Sequence, residues 1–347
     1  MAERGRDFAV MERHARITDR NGQTQIGTNR YTVLNNGMHY QEDGVWKTSQ
    51  DVIEVFPEGA VARQGPNPTI FSPDLNVPAV FDMQTSEGIR IQGGVRSIQF
   101  RDISTGNIQV IAQVKEEAPG ELIPPNRIVY RDAFEGIQAD VMYIWKHNLF
   151  SQNVVFRQRP LVPDGMDLQS VRLEVVTEIV DGPQPQLKRF MRASENGNEY
   201  VDDFFINFGS LMLVPGKALP ADNGTFSLDS PAFLRKDGLP VAKEWFVDDL
   251  GKEFLIESVD WADALPALLQ LPESSRAGLN PTSSTKNRVA AVSKPGKYNP
   301  KDKLSPMKVA STDYKPSGFL IDVTSLPATA SSYTFNRGET YLVTDDN

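Results

Sequence analysis

The chain has 347 residues, with 36 Lys and Arg against 45 Asp and Glu, a formal net charge of −9, three histidines and no cysteine. The lack of cysteine excludes disulfide scaffolds, thiolate metal sites and cysteine nucleophiles, and three scattered histidines leave little room for a histidine-rich metal centre. The acidic balance argues against a general nucleic-acid binder. The sequence has no apolar run of about 18 residues, so we expect no membrane insertion. No signal peptide is visible.

Turn-forming dipeptides and short apolar runs alternate along residues 10–260. Asn21-Gly22, Asn36-Gly37 and Asp43-Gly44 are dipeptides that supply the positive φ angles of tight hairpins. Between such turns, runs rich in Val, Ile, Tyr and Phe alternate with polar residues, most clearly over residues 89–114. This period of two, with turns about every 8–12 residues, predicts an all-β fold of antiparallel β-sandwich-like domains.

Three later segments have more specific patterns. Residues 141–145 are apolar on both faces, and a strand of that kind normally has cover on both sides, so we expect it to be central. Residues 245–257 predict a hairpin around Asp249-Leu250-Gly251. Only residues 261–271 have a helical apolar stripe, and Pro272 would end that helix.

Changes in composition divide the chain into four parts. The proline-rich interruption near residues 119–125 predicts an N-terminal β domain at 1–122 and a second β domain at 123–272. Residues 273–316 hold nine Lys and Arg against three acids, with many Pro and Ser, and predict a disordered basic linker or a tether for acidic surfaces. Residues 317–347 return to alternation, so we expect terminal strands that begin a further domain or dock on the preceding one.

The search for catalytic motifs finds few candidates. No phosphate loop, nucleophile elbow or His-Glu-x-x-His pair is present, so we expect no transition metal and no cofactor. Asp140 and Glu178 could form a glycosidase pair, if their carboxyl groups lie close together. The acid pairs at 202–203 and 248–249 are predicted to be exposed turn acids rather than calcium ligands. Trp46, next to a predicted turn, is the candidate for an exposed platform that stacks on a sugar ring.

Several stretches resemble a signature of very large secreted bacterial proteins of the β-helix and Rhs/YD-repeat type. These stretches are residues 44–47, 130–143, 150–160 and 173–178, and residues 333–343 resemble the first strand of the parallel β-helix that follows in those proteins. The resemblance implies an extracellular or cell-surface location and further domains in a longer parent chain. Its motifs are structural and specify no reaction. The family pattern has acids where this chain has Asn153 and Gln158.

Three classes of function follow from these observations. The first is a non-catalytic structural or display module of a large secreted surface protein, which the lack of a recognisable catalytic arrangement favours. The second is a carbohydrate-binding or adhesive module, whose partner would be a glycan or another surface polymer. The third is a glycan-active enzyme, which would need two facing carboxylates about 5–10 Å apart.

Overall fold

The structure is a computed structural model that describes residues 3–18, 20–193, 200–221, 238–274, 306–327 and 340–343. These residues form twenty-six strands and one helix, which confirms the predicted all-β class. The first nine strands are β1 (Glu3–Gly5), β2 (Phe8–Thr18), β3 (Thr24–Leu34), β4 (His39–Glu42), β5 (Val45–Thr48), β6 (Glu54–Phe56), β7 (Gly59–Ala62), β8 (Thr69–Phe71) and β9 (Phe81–Gln84). The next eight are β10 (Arg90–Asp102), β11 (Ile108–Val114), β12 (Gly120–Ile123), β13 (Arg127–Tyr130), β14 (Phe134–Glu135), β15 (Ala139–Lys146), β16 (Leu149–Phe156) and β17 (Val171–Asp181). The last are β18 (Gln186–Ala193), β19 (Tyr200–Asn207), β20 (Leu211–Leu213), β21 (Gly216–Ala221), β22 (Leu239–Val247), β23 (Glu253–Asp260), β24 (Lys308–Val309), β25 (Gly318–Pro327) and β26 (Thr340–Val343).

Strands β6 to β25 form one hydrogen-bonded network that closes on itself. The first run of this network passes through β6, β7, β8, β9, β10, β17, β23 and β22, with every adjacent pair antiparallel. The second run passes through β12, β13, β15, β16 and β25, and from β25 to both β20 and β21. Strand β22 belongs to both runs, because residues 239–241 pair with β21 and residues 242–247 pair with β23.

Aromatic side chains join the inner faces of the two runs. Phe71 and Phe81 come from the first run, and Tyr143 and Phe150 come from the second. The ring centroids of Phe81 and Phe150 are 5.1 Å apart, and those of Phe71 and Tyr143 are 5.9 Å apart. All four rings are buried, so the two runs share one core.

The predicted boundary at 122/123 does not appear in the strand pairing. Strand β10 lies before the boundary and β17 lies after it, yet the two pair from Gln92↔Asp181 to Asp102↔Val171. Residues from both sides also belong to the same core cluster. The proline-rich stretch therefore separates neighbouring strands of one sheet network, because tertiary pairing rejoins what the turn signals divide.

The local patterns are confirmed where the structure describes them. Strand β15 is buried from Ala139 to Trp145 and lies between β13 and β16, as expected of a central strand. The Asp43-Gly44 turn joins β4 to β5 with φ angles of 52° and 75°. The helix α1 (Trp261–Leu268) ends earlier than predicted and buries Trp261 against the Phe100 ring. Among the described residues, no helix has the length and apolar character that a membrane span requires.

The linker prediction is wrong for residues 306–316. This segment lies along the second run, where β24 pairs parallel with β12. Met307 and Tyr314 are buried, and the Tyr314 hydroxyl donates to Asp140 Oδ2 at 2.8 Å. Two buried side chains thus anchor a stretch whose average composition predicts a linker. Residues 275–305, the middle of the predicted linker, lie outside the described residues.

Strand β25 does not begin a parallel β-helix. It pairs antiparallel with β16 on one side and with β20 and β21 on the other. Phe319, Leu320 and Ile321 are buried there, so the strand is an interior part of the second run. Strand β26 pairs parallel with β3, in a separate four-stranded sheet.

We expect a chain truncated after residue 316 not to fold, because removal of β25 leaves β16 and β21 without their shared neighbour and exposes three buried apolar side chains. Of the described strands, a chain truncated after residue 339 lacks only the short β26, and it should keep most of its thermal stability. Circular dichroism melting of both truncated chains and the full chain measures the difference. Equal melting of all three would contradict the placement of β25.

Candidate binding cavity

An apolar cavity of about 50 Å³ lies between the inner faces of the two runs. Its walls are aliphatic and aromatic side chains, among them Met83, Ile91, Phe150, Ile179, Trp245 and Leu255. Three polar side chains also line it, those of Gln152, Thr177 and Glu257. A largely apolar cavity with a few convergent polar groups is the usual form of a small-molecule site.

The alternation of strand residues brings the polar groups to one place. Glu257 on β23 lies directly opposite Lys243 on β22. Thr177 on β17 lies opposite Leu255, two residues before Glu257, and so faces the same side. Gln152 comes from β16 of the second run and approaches from the opposite face. The three polar side chains therefore meet only because the two runs pack together.

Hydrogen bonds connect most of these polar atoms. Gln152 Nε2 donates to Thr177 Oγ1 at 2.8 Å and, more weakly, to Glu257 Oε2 at 3.4 Å. The Tyr143 hydroxyl donates to Gln152 Oε1 at 3.1 Å, which fixes the amide orientation. Two buried atoms, Glu257 Oε1 and Trp245 Nε1, have no hydrogen-bond partner among the described residues. An unpaired buried polar atom destabilises the fold. A ligand or water that forms a hydrogen bond with either of these two atoms would therefore bind most favourably there.

Burial controls the protonation of Glu257. Loss of solvent raises the pKa of its carboxyl group to about 8, although the Lys243 ammonium opposes the shift. The nearby Asp322 carboxylate raises the pKa further. At neutral pH the cavity therefore presents a neutral carboxyl group rather than a carboxylate.

The structure gives no support for a catalytic pair of Asp140 and Glu178. Asp140 lies on β15 in the second run and Glu178 lies on β17 in the first. Asp140 accepts hydrogen bonds from Tyr314 and the Asp132 N–H and pairs with Arg157 at 2.9 Å. Each carboxylate thus has its own structural partners.

Glu178 belongs to a buried ion-pair group. Its Oε2 accepts from Arg96 Nε at 2.9 Å and its Oε1 accepts from Lys252 Nζ at 2.7 Å. The Arg96 side chain is only 3% exposed and also donates to the Val77 carbonyl. Because the guanidinium is buried, this carboxylate is needed to compensate its positive charge.

The other predicted site residues occupy peripheral positions. Trp46 lies on β5 of the two-stranded β4–β5 sheet and is half-buried, and its carbonyl accepts from Arg4 Nη1 at 3.3 Å. Asp248 Oδ1 accepts from the N–H groups of Leu250 and Lys252, as expected of a turn acid. The side chains at 202–203 lie outside the described residues. In the described part of the chain, no three histidine, aspartate or glutamate side chains group as metal ligands.

Sequence reasoning missed the polar end of the cavity, although a signal for it exists. Leu255, Glu257 and Val259 share one face of β23, so Glu257 interrupts an inward-facing apolar row. Lys243 similarly occupies a buried position on β22. A charged residue at an inward position of a predicted strand indicates a buried polar group, but not which residues meet it.

No family model, no curated protein and no solved structure matches this chain. The resemblance to large secreted bacterial proteins therefore stays a prediction. Any functional conclusion depends on the geometry described above.

Replacing Glu257 by glutamine should change how stability depends on pH. The folded chain keeps the carboxyl proton up to about pH 8, whereas the unfolded chain releases it near the ordinary pKa of 4.5. Between these values the folded state binds more protons, so the free energy of unfolding falls as pH rises, by at most about 1.4 kcal/mol per pH unit from this group. Relative to the wild type, E257Q should therefore become more stable as pH rises.

Urea unfolding of both proteins across this pH range measures the effect. Substitution of the exposed Glu87 by glutamine is the matched control and should leave the pH dependence unchanged. A stability difference between E257Q and wild type that is constant with pH would contradict the shifted pKa.

Proposed function

We propose that the chain is a non-catalytic structural and display module of a large bacterial surface protein. The observation that carries this proposal is the use of buried carboxylates in internal pairs. Glu178 bonds Arg96 and Lys252, while Glu174 bonds Arg101 and Gln99. A general acid or base must exchange its proton with a substrate, and carboxylates held in this way stabilise the fold instead.

The cavity also lacks the arrangement that glycoside hydrolysis requires. Glu257 is the one carboxylate among the described residues that line it. The usual glycosidase mechanisms need a second carboxylate across the scissile bond. This geometry supports a module without hydrolytic activity.

The hairpin of β2 and β3 supports the display part of the proposal. Its two strands pair along eleven residues, from Phe8↔Leu34 to Thr18↔Thr24. Most side chains away from its base are exposed, including Ile17 at 52% and Ile26 at 71%. A long hairpin with exposed apolar side chains is suited to contact with another surface.

The carbohydrate-binding alternative depends on Trp46. A sugar platform needs an open aromatic face, and the half-burial of Trp46 leaves only part of its surface for stacking. The alternative therefore has one partly exposed side chain in its favour.

Substitution of Glu178 by glutamine should destabilise the chain by about 3 kcal/mol, because it leaves the buried Arg96 charge uncompensated. The matched control is D260N, which breaks the more exposed Arg172–Asp260 pair and should cost less than about 1 kcal/mol. Denaturant unfolding of both variants provides the comparison. Equal losses would show that the Arg96–Glu178 pair has no special structural role.

Incubation of the full chain with a panel of polysaccharides tests the proposal directly. We expect no hydrolysis. We also expect W46A to bind glycans to the same extent as the wild type. Hydrolysis that E257Q abolishes would establish an enzyme, and glycan binding that W46A abolishes would establish the carbohydrate-binding alternative. Labelling of intact producing cells with an impermeant reagent tests the surface location: protection of the protein until lysis would contradict it.

A further inference from the structure

The two side chains that carry these unpaired atoms, Trp245 and Glu257, both line the cavity. Trp245 on β22 lies opposite Leu255, and Glu257 is two residues further along β23. The two side chains are therefore diagonal neighbours on one face of the sheet, a relation in which the residues are about 7–8 Å apart and their Cβ atoms somewhat closer. A polar group bound at this end of the cavity therefore has both side chains as neighbours.

The remaining surface of the cavity favours an apolar partner. Met83, Ile91, Ile179 and Leu255 supply aliphatic walls, and Phe150 supplies an aromatic one. Water would form hydrogen bonds with the polar atoms but has no favourable contact with these apolar walls, and apolar cavities tend to stay dry. With about 50 Å³ of space, the cavity has room for a group of only a few heavy atoms.

Charge restricts the polar group of the ligand. An ammonium group would come close to the Lys243 side chain, which is buried opposite Glu257. A carboxylate would lose its hydration there as the Glu257 side chain does, and for Glu257 this loss outweighs the stabilising charge of Lys243. Burial of an uncompensated charge is costly, so a neutral group is favoured.

We propose that this cavity binds a small neutral alcohol, whose hydroxyl group bonds Glu257 Oε1 and Trp245 Nε1 while its short hydrocarbon part contacts the apolar walls. The hydroxyl group accepts from the indole N–H and bonds the carboxyl group with its remaining hydrogen or lone pair. The alcohol is a free molecule or the hydroxyl-bearing end of a longer one. This site is independent of the proposed structural role.

Methyl NMR of the full chain tests the proposal with three small ligands of similar size: ethanol, ethylammonium and acetate. We expect ethanol to cause saturable shifts at the methyl groups of Met83, Ile91, Ile179 and Leu255. The two charged ligands should bind at least about tenfold more weakly, because each adds an unpaired buried charge.

Two conservative variants test the role of the indole N–H. W245F keeps an aromatic ring but removes the donor, and it should weaken ethanol binding about five- to tenfold, the loss expected for one hydrogen bond. W46F makes the same chemical change away from the cavity and should bind as the wild type does. The methyl spectrum of each variant also reports whether the fold is retained.

Four outcomes would overturn the proposal. Unchanged shifts of the cavity methyl groups on addition of ethanol would mean that water alone occupies the polar end. A charged ligand that binds as tightly as ethanol would refute the neutral class, and shifts confined to surface methyl groups would refute the site. Equal weakening by W245F and W46F would refute the indole contact.

Discussion

The packing of aromatic rings between the two runs is the contact on which the rest of this structure depends. Phe71 and Phe81 of the first run meet Tyr143 and Phe150 of the second, and this contact holds the inner faces together. Strand β22 closes the network by pairing with both runs, so the faces cannot separate without breaking its ladders. Phe81 and Phe150 also line the cavity, which makes the candidate site a direct product of the same packing.

Buried charge is handled in two different ways in this fold. Glu178 is paired with Arg96 and Lys252, and the three groups stabilise the position of β10 against β17. Glu257 instead has its pKa raised, since the nearby Lys243 offsets only part of its lost hydration. In the first arrangement both carboxylate oxygens bind protein cations, which is a structural role. The second leaves a neutral carboxyl group in a cavity, which is why the two sites support different functional conclusions.

Prediction from sequence succeeds where the signal is local. The Asp43-Gly44 turn, the central position of β15 and the start of the helix at Trp261 all follow from short patterns of residues. It fails where distant segments meet. Tyr314 bonds Asp140 across 174 positions, and this contact orders a segment whose composition predicts a linker. The domain boundary at 122/123 fails for the same reason, because its turn signal is real but β10 and β17 pair across it.

The sequence by itself determined the all-β class, since alternation and turn residues act over a few neighbouring positions and need no tertiary partner. It also determined that no cysteine chemistry occurs in the chain. Only the tertiary structure decided that β25 lies between β16 and β21, and that Gln152, Thr177 and Glu257 line one cavity. Strand order depends on which distant strands bury each other's apolar faces, and the pKa of Glu257 depends on the water which that burial removes. Neither quantity is a property of a short segment.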